Sequence, residues 1–119
     1  MSLDVTLMSA ELSECGECGH KTRRECLYTS NITHNLNKMA EEAGIYSHLW
    51  RPDEIGVAKA GDLIGPLSDG LSMMKADRPR FEKFNAPNGW GLYEHFIPWV
   101  EDYLEACKRH PDALVSVSR

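Results

Sequence analysis

The spacing of apolar and polar residues changes several times along this chain, and each change marks an element. Residues 3–8, LDVTLM, alternate, and so do residues 24–29, RECLYT. Alternation places one face of each against a core, which predicts two strands with the cysteine-rich segment as the tip of the hairpin between them. From Asn31 onward the period becomes helical, with apolar residues at Ile32, Leu36, Met39, Ala40 and Ala43. Ser30 or Asn31 is the expected N-cap and Gly44 the C-terminal stop. The run IYSHLWRPDEIG predicts one short helical turn ending before Pro52 and another opened by Asp53 and Glu54.

Ala60, Leu63, Ile64, Leu67, Leu71 and Met74 form a second amphipathic pattern, interrupted by Pro66. A proline there removes a backbone donor, so the expectation is a kinked helix or two short helices in line. PRFEKF opens a turn with Pro79 at a helix start, and APNGWG reads as a loop. The strongest helix begins near Leu92. Tyr93, Phe96, Val100, Tyr103 and Cys107 lie on one stripe, with Glu94, Glu101, Asp102 and Glu105 opposite. LVSVSR at the end alternates again, as a strand that adds to the hairpin. The predicted fold class is α+β, a single domain over 1–119. A small three-stranded antiparallel sheet, made of the N-terminal hairpin and the C-terminal strand, packs against three to four helices.

Charge narrows the partners. The chain carries a net charge of −5 over 119 residues. A protein that coats nucleic acid needs a basic face, so nucleic acid is the less favoured partner. Lys21, Arg23 and Arg24 form a small basic patch that keeps it as an alternative. No apolar run has the length of a membrane span, and MSLDVTLMSAE lacks the pattern of a signal peptide. The expectation is a cytoplasmic protein without a membrane partner, in which Asn31-Ile32-Thr33 has no meaning as a glycosylation sequon. An exposed sheet edge leaves a homo-oligomer open.

In that compartment four cysteines point to metal or free thiols rather than to disulfides. Residues 13–26 resemble a zinc knuckle at a hairpin tip. The two residues between Cys15 and Cys18 let a tight turn aim both sulfurs at one ion. Cys26 is the expected third ligand, from across the hairpin, and His20 the fourth, although its spacing from Cys18 is cramped. A closed zinc site of this kind is structural. Cys107, on the apolar stripe of the last helix, reads as a core residue.

SNITHNLNKM concentrates polar residues at a junction between strand and helix. Asn31, Thr33, His34 and Asn35 are candidate ligand-binding residues, since side-chain hydrogen bonds there would supplement the unpaired amides of a helix start. Trp50 and Trp90 are candidates to stack on a ring, and Arg51 to meet an anion. Plain helix capping accounts for one or two of these residues, not for all. Asn88-Gly89-Trp90-Gly91 is a further candidate loop, with a packing role at a helix start as the competing reading. No nucleophile, base and orienting group can be placed together, so catalysis by His34 is the third choice.

The blocks NITHNL, LWRP and NGWG, in that order across residues 28–119, resemble a family of small uncharacterised bacteriophage and prophage proteins. The resemblance implies a phage-encoded accessory protein acting in the bacterial cytoplasm. It implies binding of a host protein or small molecule rather than catalysis. Three functions stay open: a non-enzymatic binder of a small anionic or nucleotide-like ligand or a host factor, a zinc-knuckle adaptor, and a small enzyme.

Overall fold

The computed structural model of the chain describes residues 2–14, 21–89 and 91–118. The hairpin predicted from alternation is present and longer than expected, with β1 at Ser2–Glu14 and β2 at Lys21–Thr33. The C-terminal strand β3, Leu114–Ser118, pairs antiparallel with β1, so the sheet order is β2-β1-β3. Leu3, Val5 and Leu7 point inward from the central strand and are fully buried. Their neighbours Ile32, Ser30 and Tyr28 on β2, and Val117 and Val115 on β3, share that face through the register. The opposite face carries Asp4, Thr6, Thr29, Asn31, Ser116 and Ser118, all polar. One face is therefore covered by helices and the other is wet, as the alternation requires.

Strand β2 continues through Thr33, three residues past the helix start expected at Ser30 or Asn31. Ile32 fits either period, and tertiary pairing decides. Opposite Leu3 it is buried and completes a ladder rung, whereas Asn, Ile and Thr are all mediocre helix formers. After a 3₁₀ turn at His34–Leu36 comes α1, Asn37–Glu42. Gly44 stops it as predicted, at φ 76°, with Gly44 N–H donating to Glu41 O and Ile45 N–H to Ala40 O. Those two bonds form a Schellman motif, with Ile45 and Ala40 both buried beneath it.

Helix α2, Tyr46–Trp50, and a 3₁₀ turn at Pro52–Ile55 follow, matching the two short turns expected on either side of Arg51. Helix α3, Gly61–Ala76, is one continuous element that retains Pro66. Its N-terminus is tied to the chain beyond the last helix, Gly61 N–H donating to Pro111 O and Ala60 N–H to Ala113 O. The short α4, Arg78–Glu82, buries Phe81. Helix α5, Tyr93–Arg109, carries the predicted stripe, with Tyr93, Phe96, Val100, Tyr103, Leu104 and Cys107 buried. Among the described residues there are five α-helices where three to four were expected, because the short turns count separately. Among the described residues no helix is long and apolar enough to cross a membrane.

β3 pairs only with Asp4 through Met8 of β1. The rest of the hairpin is a two-stranded arm, and the molecule measures 56 × 28 × 23 Å. The arm is irregular, with register shifts between Leu7 and Met8, Met8 and Leu12, and Ser13 and Glu14.

Two predictions concern this framework. A Cβ on Gly70 would lie 2.6 Å from Ile45 Cγ2, inside the core where α3 crosses the turn after α1. Gly70→Ala gains about 1 kcal/mol of helix propensity, while overpacking costs about 1–3 kcal/mol. The variant is expected to unfold at lower denaturant concentration; a midpoint raised by the full propensity gain would show that Ile45 rotates away freely. The second concerns pH. Tyr28 stacks on Tyr103 at 5.9 Å, and the buried Tyr103 hydroxyl has no partner among the described residues. Burial raises both phenols above their ordinary range and pushes the Cys107 thiol from 9.0 up to about 12. These groups favour the folded state while protonated. Their contribution is complete below the unfolded values and is lost as pH climbs through the folded ones. Denaturation midpoints measured from pH 9 toward 12 should fall steadily, and more gently in Cys107→Ala; an identical slope would clear the thiol of any part in it.

Candidate functional site

The corner after β2 is built by one hydroxyl and one indole. Thr33, in extended conformation, caps the 3₁₀ turn by accepting the Asn35 N–H on Oγ1 at 3.3 Å. That turns the chain sharply and brings Asn31, Thr33 and Asn35 to one side. His34 faces the other way. Its Nδ1 accepts the Trp50 indole N–H at 2.8 Å, a bond that requires a neutral ring carrying its proton on Nε2. Trp50 is 2% exposed and stacks on Tyr46 at 5.6 Å.

The loop from Asn85 to Gly91 docks against this corner. Ala86 N–H donates to Gly91 O, and Gly89 N–H to Ala86 O, closing the loop on itself. Asn85 Oδ1 accepts the Tyr93 N–H at 2.7 Å, which caps the first residue of α5 from eight positions upstream. The Tyr93 hydroxyl then donates to Met74 O at 2.8 Å in the core. Gly91 makes the closest approach: at φ 120°, its missing Cβ would stand 2.9 Å from Asn35 Cβ and 3.4 Å from Thr33 Cγ2. No other residue type fits there without both backbone strain and a clash.

Between corner and loop lies an open cleft of about 660 Å³. Asn31, Thr33 and Asn35 line one side, and Asn88, Gly89 and Gly91 the other. Ser2, which pairs with Thr33 in the sheet, and His95, in the first turn of α5, close its ends. A second depression of about 390 Å³ shares Asn35 and Asn88 and continues toward Phe84 and Pro87. Each of these volumes falls in the range of small-molecule sites.

The structure thus joins the NITHN and NGWG runs, which lie far apart in sequence. It does not bring every candidate residue with them. His34 and Trp50 are absent from the described lining, and Trp50 is buried with its indole N–H committed to His34, so it supports the corner from below instead of offering a face to a ring. Arg51 is also elsewhere. It donates to Glu54 at 2.7 Å and to the Tyr46 hydroxyl at 3.2 Å, and Glu54 holds the guanidinium pKa above its ordinary value. Trp90 lies outside the described residues. The helix-terminus argument for an anion loses its basis as well, because the turn at the corner is three residues long and α1 only six. Ser2 and His95 carry no signal in the sequence. Ser2 is placed by strand register and His95 by the docking of α5.

Of the knuckle, Cys15, Cys18 and His20 lie outside the described residues. Cys26 is exposed, pairs with Met8, and donates its thiol to Tyr28 O at 3.8 Å. It stands five residues along β2 from Lys21, which pairs with Glu14, a separation of about 16 Å at ~3.3 Å per residue. Ligands of one zinc ion sit within about 4 Å of one another. Among the described residues no three His, Cys, Asp or Glu side chains are grouped to hold a metal. Cys107 is buried in the core, as expected. Cys26→Ser should therefore leave the metal stoichiometry of the protein unchanged in native mass spectrometry, with or without chelator; loss of a bound ion in that variant would mean that the arm folds back on itself.

Neither a family model, nor a curated protein, nor a solved structure matches this chain.

Proposed function

We propose that this is a non-enzymatic accessory protein that takes a small polar, nucleoside-like ligand in the cleft between the NITHN corner and the NGWG loop. The observation that carries this reading is the cleft itself. Two polar runs separated by about fifty residues meet there, and a glycine at φ 120° is needed for them to meet. A purely structural junction would close such a gap with apolar side chains. Here three carboxamides and two hydroxyls line it alongside Ile32 and Leu36. Binding is favoured over catalysis because the described lining offers one imidazole, His95, with no carboxylate or thiol to pair with it. The phage origin implied by the sequence resemblance, and a host factor as an alternative occupant, belong to the same proposal. So does a structural zinc ion held by the Cys15–Cys18 segment, whose part would be to fix the tip of the hairpin arm.

Thermal denaturation against a panel of nucleosides, nucleotides and sugars tests the reading. A ligand at 100 times its Kd stabilises the folded state by about 2.7 kcal/mol. Asn31→Ala, which removes an exposed side chain on the wet face of the sheet, should weaken binding about five- to tenfold. Asp69→Ala, on the exposed face of α3, should not change it. Stabilisation that survives intact in both Asn31→Ala and Gly91→Ala would place the ligand elsewhere.

A further inference from the structure

The proposed cleft has a definite electrostatic character. Of its described lining residues none is Lys, Arg, Asp or Glu. Three carboxamides (Asn31, Asn35 and Asn88) and two hydroxyls (Ser2 and Thr33) supply both donors and acceptors. Two carboxylates among the described residues flank it. Asp4 stands directly opposite Asn31 in the β1–β2 ladder, on the same face of the sheet, which places their Cβ atoms about 5 Å apart. Glu94 is exposed in the first turn of α5, next to His95. Among the described residues, the two lysines in neighbouring segments are engaged or turned away. Lys38 lines a separate groove with Glu41 and Glu42. Lys83, beside the second depression, has its ammonium 5.5 Å from the Phe84 ring centre.

Resting on the binding reading above, we infer that the cleft selects an uncharged ligand by its hydroxyl and amide groups. The ligand class is a neutral hydroxylated ring, as in a nucleoside or a free sugar, and phosphate is selected against. Among the described lining residues a phosphate would meet no Lys or Arg in exchange for its lost water, and it would approach the Asp4 and Glu94 carboxylates. A neutral diol or amide edge meets carboxamides that can donate and accept at once.

Titration calorimetry with the full chain distinguishes the possibilities, using adenosine and uridine, their 5′-monophosphates, and D-ribose as probes. The expected result is that at least one neutral probe binds and that adding its phosphate weakens binding about tenfold. Nucleoside affinity should change by less than about twofold between roughly 0.05 and 0.5 M salt. Ribose and the nucleosides separate the two sources of the shared chemistry: a sugar site binds all three neutral probes alike, and a nucleoside site prefers the bases. Asn31→Ala should weaken the neutral probe, and Lys83→Ala should leave neutral and phosphorylated probes unchanged. A monophosphate that binds tighter than its nucleoside, and loses that advantage in Lys83→Ala, overturns the inference while leaving the cleft as the binding site. Failure of every probe, or binding indifferent to Asn31→Ala, removes the binding reading and the inference together.

Discussion

The burial of Leu3, Val5 and Leu7 on the central strand is the constraint on which the rest of the molecule depends. A three-stranded sheet with one apolar face is not stable until something covers it. Here α5 does, with its own stripe of Tyr93, Phe96, Val100 and Tyr103. β1 occupies the middle of the sheet, so its two edges must be filled from opposite ends of the chain. β2 follows at once through the hairpin. β3 arrives only after every helix has been laid down. The segment before α3 then borders the outer edge of β3, Val115 N–H donating to Ala58 O beside the Lys59–Leu114 bridge. Part of an edge that would otherwise invite another strand is thereby paired.

The candidate site is a by-product of this covering arrangement, held by few interactions. α5 must start where its first turn reaches the sheet, and two bonds from Tyr93 fix that point. Its N–H is taken by Asn85 and its hydroxyl reaches Met74 O in the core. With both ends of the 85–91 loop thus defined, its last residue, Gly91, comes to rest on Asn35 and Thr33. The Trp50–His34 bond stiffens the same corner from the core side. A cleft assembled in this way is pre-organised. Its carboxamides sit on a strand, a capped turn and a closed loop, so a ligand would have little ordering cost to overcome.

Periodicity made most of the fold legible. Both hairpin strands, the C-terminal strand, the short turns around Arg51 and the long final helix appear where alternation and helical spacing placed them. The misplacements share a cause. Ile32 fits two periods, and only its partner Leu3 decides for the strand. Pro66 left a kinked helix or two short helices in line open, and burial of Leu63, Leu67 and Leu71 on either side keeps α3 one helix. Asn31, Thr33 and Asn35 were visible as polar residues with no capping task large enough for all of them. His34, Trp50 and Arg51 belonged to the same cluster by sequence and not by space.

By itself the sequence determined the class of the fold, the one-sided sheet, the stop at Gly44 and the core role of Cys107. Each of these follows from local pattern, backbone freedom or side-chain polarity. The tertiary structure decided which residues share the cleft, because that depends on strand register and on the landing point of α5, and neither is encoded locally. It also set Cys26 opposite Met8, five residues along β2 from the Glu14–Lys21 pair. A spacing in sequence gives the length of a strand only once the strand's ends are known, and here those ends are fixed by pairing across the sheet.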